Sequence, residues 1–155
     1  MPMQTCTAAL QASVLSLLCL HAASAQSSAV KVSTDKSSYD PGEMIVVSIV
    51  NTLSVPIYAL TGQTYCTIVT VQRSVDGEWK SEGPCQSYAP PGWVEIGAGG
   101  TTRIEVMPRL HADQPLASGR CRAQLTFKVG STNGRSATVF SSEFLISNVA
   151  HNRQP

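Results

Sequence analysis

The chain has 155 residues, of which 43% are hydrophobic and 6% aromatic, and its formal net charge at pH 7 is +1. This length suits one domain, and a near-neutral charge without blocks of like sign argues against a nucleic-acid groove or a polybasic membrane face. Together with 11 Gly and 9 Pro, the composition favours a small globular β-protein over a disordered chain or a helical bundle.

Residues 1–25 have the pattern of a signal peptide. No Asp, Glu, Lys or Arg precedes Lys31, and an apolar stretch at 8–20 leads into the small residues Ala23-Ser24-Ala25, a sequence of the kind that signal peptidase cuts. We expect an exported protein, periplasmic or extracellular, that starts at Gln26. The stretch is short and interrupted for a spanning helix, which needs about 20 apolar residues, so we expect no stable membrane insertion after cleavage. The usual basic n-region is missing, which leaves open a start codon further upstream.

Downstream of the leader, short β-rich runs alternate with turn sequences, and no window has the apolar spacing of an amphipathic helix. These β-rich runs lie at residues 30–32, 44–52, 57–60, 65–73, 78–80, 93–96, 102–106, 120–129, 137–140 and 143–146, and the last two are expected to form one strand with a bulge at Ser141-Ser142. This spacing predicts an all-β domain over residues 26–146, an immunoglobulin-like antiparallel β-sandwich of seven or eight strands. A small β-barrel is the alternative, and residues 147–155 are expected to form a flexible C-terminal tail.

The clearest alternation runs through residues 120–129. Period two places Cys121, Ala123, Leu125, Phe127 and Val129 on one face and the polar residues between them on the other. Residues 44–52 have apolar side chains on both faces, which is typical of an inner strand.

Three cysteines follow the leader, Cys66, Cys85 and Cys121, and an odd number in an oxidising compartment leaves one thiol unpaired. Asp76-Gly77 predicts a two-residue hairpin. In its ideal register Ser87 stands opposite Cys66, and a bulge around Pro84 would absorb the remaining offset. We therefore predict a Cys66–Cys85 disulfide as the first of three pairings. The competing interpretation keeps all three as small core thiols, and in either case Cys121 is expected to be buried and inert.

The residues offer little for catalysis, and we predict no enzyme, no metal and no cofactor. The only histidines after the leader are His111, expected in a surface loop, and His151 in the tail. The cysteines lack the close pairs of a structural zinc site, and no helix pattern follows the glycines at 97–100, as phosphate binding would require. The carboxylates of Asp76, Glu78 and Glu82 around the hairpin are expected to be solvated.

Four aromatic residues near the bridged hairpin form a candidate binding surface: Tyr65, Trp79, Tyr88 and Trp93. Exposed together, such rings would offer an aromatic face to a partner. The competing interpretation places Trp79 and Trp93 in the core, and we expect at least one of them to be buried.

The sequence Ser38-Tyr39-Asp40-Pro41-Gly42-Glu43, the strand at 45–49 and Asn51 resemble the start of bacterial exported immunoglobulin-like domains. Further along, residues 61–65, 76–79, 97–101 and 119–122 are similar in order and spacing to the bacterial intracellular proteinase inhibitor family, which is also a β-sandwich. This chain differs from that family in its leader, in Cys66 and Cys85, and in having Cys121 where an aromatic residue is more usual. The resemblance implies a sandwich fold and assigns no inhibitory loop.

These observations lead us to expect an exported, non-enzymatic immunoglobulin-like module that binds a protein or carbohydrate partner or supports a cell-envelope assembly. No nucleic-acid partner is expected. The alternative is a proteinase inhibitor that uses the loop at residues 83–92, whose prolines would reduce the entropy lost on docking. A small hydrolase is less favoured, because it would need His111 beside a nucleophile.

Overall fold

The computed structural model describes residues 29–83, 85, 90–107, 109–111, 114–115 and 117–147. The predicted leader lies outside the described residues, as do Tyr88, Pro84 and the tail beyond Ser147. Within the described part the regular structure is β, apart from a short turn at Thr64–Cys66. The strands are β1 (Val30–Thr34), β2 (Ser38–Tyr39), β3 (Ile45–Asn51), β4 (Ile57–Leu60), β5 (Val69–Val75), β6 (Glu78–Ser81), β7 (Trp93–Ile96), β8 (Thr101–Val106), β9 (Arg109–His111), β10 (Gln114–Pro115), β11 (Gly119–Val129), β12 (Ser136–Phe140) and β13 (Phe144–Ile146).

The predicted β-sandwich is confirmed. A small sheet has the order β1-β3-β8, and a large sheet is built on β11, which pairs with β5 and β4 along one edge and with β13 and β12 along the other. Beyond these lie β6, β7 and β2, and the two sheets are not closed into a barrel. Thirteen strands are described where seven or eight are predicted; β2, β9 and β10 have only two or three residues each, and a bulge divides β12 from β13. Among the described residues no helix is long and apolar enough to cross a bilayer.

The core lies between the sheets and follows the predicted alternation. In β11 the side chains of Cys121, Ala123, Leu125 and Phe127 are buried, and in β3 those of Ile45, Val47 and Ile49 are fully buried. Since β3 pairs with β1 on one edge and β8 on the other, it is the inner strand that its sequence predicts.

The first strand segment changes sheets through a turn that Tyr39 stabilises. β1 pairs with β3, whereas β2 runs parallel to β13 in the large sheet. The Tyr39 ring is buried edge-on against Phe144, with 5.4 Å between centroids, and its hydroxyl donates to Asp35 at 2.6 Å. That hydrogen bond lowers the pKa of Asp35, and burial together with the same bond raises the pKa of Tyr39 to about 12.

The bulge predicted at Ser141-Ser142 is confirmed by the register. Phe140 pairs with Gln124 and Phe144 with Cys121, so one strand has one more residue between the pairs than the other. Ser141 fills the irregularity because its amide donates to the Ala123 carbonyl and its hydroxyl accepts from the Ala123 amide. The edge of the large sheet therefore continues from β12 into β13 without leaving Ala123 unsatisfied.

Asn51, at the end of β3, joins the two sheets through a fully buried amide. Its Nδ2 donates to the carbonyls of Val55, Ile96 and Gly97 at 3.0, 3.1 and 2.9 Å, and its Oδ1 accepts from the Leu53 amide. Ile96 ends β7 of the large sheet, so this one side chain fixes the position of the β7 end against β3. A hydrophobic side chain could not satisfy these backbone groups.

We expect Asn51→Asp to reduce the free energy of unfolding by about 3 kcal/mol or more at pH 7, since it would bury a carboxylate against three carbonyl oxygens. Chemical denaturation with circular dichroism measures the change. The matched control is Asn133→Asp in the exposed turn between β11 and β12, which should shift stability by less than about 0.5 kcal/mol. Equal effects of the two substitutions would contradict the assigned role of Asn51.

Candidate functional site

The predicted disulfide between Cys66 and Cys85 is present. The hairpin that brings the two cysteines together has the expected register, with Val75 opposite Glu78 and both turn residues at positive φ, Asp76 at 53° and Gly77 at 83°. This hairpin forms one edge of the large sheet, and the disulfide closes its open end.

The strand before the hairpin is shorter than the predicted residues 65–73, because β5 begins only at Val69. Thr64 is buried, and its hydroxyl donates to the Glu82 carbonyl and accepts from the Val71 amide. The next two residues turn the chain with positive φ, 51° at Tyr65 and 63° at Cys66. This turn carries Cys66 out of the hairpin register to within 4.6 Å of Cys85, measured between the Cα atoms. The bulge predicted around Pro84 lies outside the described residues.

Replacing both Cys66 and Cys85 with Ala should lower the free energy of unfolding by about 3 kcal/mol, because the unfolded chain regains the freedom of a loop with a sequence separation of 19. Urea denaturation with and without reductant measures this. Reductant should destabilise the wild type by a similar amount and leave the double variant unchanged. A wild-type protein insensitive to full reduction would show that the disulfide contributes nothing to stability.

Tyr65 packs towards the core and takes no part in an exposed aromatic face. Its half-buried side chain contacts the hydrophobic core, and its ring lies directly over Gly83, where an added Cβ would come within 2.7 Å of it. Gly83 is thus required by this close approach. Tyr65 therefore stabilises the bridged turn.

Trp79 and Trp93 both lie on the outer face of the large sheet, and neither belongs to the buried core. The expectation that at least one would be buried is wrong. Trp79 in β6 stands opposite Ser74, and Trp93 in β7 stands opposite Leu60, on the side of each strand that faces away from the small sheet. Trp79 lies near the Cys121 end of β11 and Trp93 near the Phe127 end, so the two indoles are separated by about 20 Å.

Arg122 forms a cluster with two aromatic rings in the middle of this outer face. Its guanidinium carbon lies 4.2 Å from the centroid of the Trp79 ring and 4.0 Å from that of Phe140. Its Nε donates to Gln72 Oε1 at 2.8 Å, which holds the plane of the group. A cation between two aromatic faces is attracted by both ring quadrupoles. We call Trp79, Arg122 and Phe140 the arginine cluster; the prediction of a binding surface included only the first of them.

The outer face also carries the most exposed large hydrophobic side chains of the described residues. Leu145 is 50% exposed, and Trp93 and Phe140 are each 45% exposed. The strands of the small sheet contain no aromatic residue, and their outward positions are mainly polar, with Arg103 and Glu105 on β8. The three most exposed large hydrophobic side chains therefore lie on one face of the sandwich, while Met107, Met44 and Val55, which are 41%, 38% and 38% exposed, lie in loops.

Beneath the hairpin, Glu82 is buried and does not behave as the solvated turn charge that was predicted. Its Oε1 accepts from Arg73 Nε at 2.8 Å, and its side chain is 9% exposed. Both side chains point inward because Arg73 continues the core-facing alternation of Val69 and Val71. The ion pair compensates two charges at the edge of the core, whereas Asp76 and Glu78 are exposed as expected.

Cys121 is a free, fully buried thiol, in agreement with the alternation of β11. Burial, with a smaller effect of the Glu82 carboxylate, raises its pKa to about 11. Almost no thiolate is present at neutral pH under these conditions, so the group is a poor nucleophile.

The backbone of His111 pairs with Gln114 in the β9–β10 hairpin and does not lie in the loop that was expected. Across the described part of the chain, no group of three or more His, Cys, Asp or Glu side chains is arranged to hold a metal ion. Of the loop at residues 83–92 only 83, 85 and 90–92 are described.

No family model and no curated protein matches the chain. Similar solved structures include the Pseudomonas fluorescens alkylpurine DNA glycosylase AlkC, with a TM-score of 0.41, 15% identity and coverage of 77% of this chain and 31% of that one. The sporulation control protein Spo0M from Bacillus subtilis matches with a TM-score of 0.40 and 16% identity, over 77% of this chain and 50% of that one. The beta-glucosidase from Listeria innocua matches with a TM-score of 0.29 and 15% identity, over 76% of this chain and 16% of that one. The chain thus spans half or less of each of these proteins, and similarities this weak carry no argument.

Proposed function

We propose that the chain is an exported, non-enzymatic binding module that holds its partner on the outer face of the large sheet. The observation that carries this proposal is the concentration of Trp93, Phe140 and Leu145 on that face, together with the arginine cluster. Trp and Arg are the residue types that most often dominate binding energy at protein interfaces.

The energetics support an interface at this face more than a purely structural role. Full burial of an exposed leucine or phenylalanine side chain gains roughly 1.5–3 kcal/mol, so each of these half-exposed side chains would gain about half of that when a partner removes it from water. Because these side chains are held on paired strands, they lose little conformational freedom on binding. The polar outward surface of the small sheet offers no comparable gain.

Export is supported by the leader pattern in residues 1–25 and by the Cys66–Cys85 disulfide. Disulfides persist in oxidising compartments such as the periplasm and are rare in the cytosol. The bridge also ties down the edge of the sheet that carries Trp79, so an oxidising compartment would preserve the binding surface.

The proposal is tested by retaining envelope proteins on the immobilised, disulfide-bonded protein and then measuring Kd with the purified partner. We expect Phe140→Ala and Trp93→Ala each to weaken binding about tenfold, as loss of an interface anchor does. Met44→Ala is the matched control, since Met44 is 38% exposed and lies outside the outer face of the large sheet. Equal weakening by Met44→Ala, or unchanged binding of both aromatic variants, would refute the proposed surface.

A further inference from the structure

We infer that Arg122 is the binding site for a carboxylate, supplied by an acidic side chain within an extended, otherwise apolar segment of the partner protein. This inference rests on the proposed function, because it names the chemistry recognised by the same outer face. It adds a ligand class and a residue that the aromatic pattern of the sequence does not indicate.

Among the described residues, the Arg122 guanidinium has no carboxylate as an ion-pair partner. The ion pairs found there are Lys36–Glu43, Arg73–Glu82 and Arg120–Glu143. Gln72 engages Nε of Arg122, and no hydrogen bond among the described residues engages its two terminal nitrogens. A guanidinium presents its donors as a planar fork that matches the two oxygens of a carboxylate.

The two aromatic rings restrict the orientation of the Arg122 guanidinium before a ligand binds. The guanidinium carbon of Arg122 lies over both the Trp79 ring and the Phe140 ring, 4.2 and 4.0 Å from their centroids, so two ring contacts confine the group while its terminal nitrogens stay available to a ligand. A side chain already confined in one orientation loses less entropy when it forms a bidentate contact. The aromatic faces also shield the contact from water, which strengthens a charge-assisted hydrogen bond.

The charges around the cluster favour a single negative charge over a phosphate. The neighbouring Arg120 on β11 is already neutralised by a bidentate contact with Glu143, in which Nε donates to Oε2 and Nη2 donates to Oε1, both at 2.8 Å. One uncompensated guanidinium balances a monoanion, whereas phosphate sites usually combine several donors and positive charges.

The surroundings favour a polypeptide over a neutral carbohydrate. Phe140, opposite Gln124, and Leu145, opposite Arg120, add apolar surface on the same outward face as Arg122, and each is about half exposed. In a polypeptide ligand, apolar side chains beside an acidic residue would cover Phe140 and Leu145, while the carboxylate of that acidic residue binds Arg122. A neutral sugar would stack on the rings but would leave the guanidinium uncompensated.

The test uses the purified, disulfide-bonded protein and two synthetic peptides, acetyl-Val-Leu-Glu-Leu-Val-amide and the same peptide with Gln in place of Glu. Titrations follow the NMR signals of Arg122 Nε–H and of the Trp79 indole. We expect the acidic peptide to bind at least tenfold more tightly, to shift both signals, and to weaken as salt increases. Since this comparison uses the wild-type chain, it does not depend on the folding of any variant.

Two variants refine the test. Arg122→Gln should remove the preference for the acidic peptide, and Arg122→Lys should retain only part of it, since a lysine lacks the fork. Arg103→Gln is the control, because Arg103 is an exposed arginine on the outward side of the small sheet. The inference is overturned if the two peptides bind equally, if Arg103→Gln has the same effect, or if a phosphoserine peptide or maltohexaose binds more tightly than the acidic peptide. If only these peptide results fail while Phe140→Ala still weakens the retained partner, the proposed function stands without a carboxylate site.

Discussion

The register of β11 is the constraint on which the rest of the structure depends. This strand, Gly119–Val129, is paired along both edges and alternates strictly between the core and the outer face. A slip of one residue would turn Arg122 into the core and Leu125 into solvent. The same register therefore determines both the packing between the sheets and the composition of the outer face.

Two further contacts hold the strands that carry Trp93 and Trp79 in their positions relative to β11. Asn51 joins the end of β3 to the end of β7, which carries Trp93 at its other end. The Cys66–Cys85 bridge and the Tyr65 turn close the β5–β6 hairpin, which carries Trp79. Trp93 and Trp79 thus each lie on an edge strand that has its own anchor.

Patterns local in sequence were predictable, and contacts that depend on strand order were not. Period-two alternation gave the inward set of β11, and Asp76-Gly77 gave the hairpin and hence the disulfide. The arginine cluster joins side chains from β6, β11 and β12, which become neighbours only once these strands are placed around β11. The positive φ of Tyr65 and Cys66 carries no local signal, because neither residue favours that conformation. The burial of Glu82 had a usable signal, since Arg73 extends the inward alternation of β5 and requires a partner.

The central claim is that the outer face of the large sheet, and not that of the small sheet, receives the partner. Hydrogen–deuterium exchange of the purified chain with and without its isolated partner tests this most directly. The account predicts added protection in peptides that cover β6, β7, β11, β12 and β13, with little change in β1, β3 and β8. Protection confined to β1, β3 and β8 would contradict it.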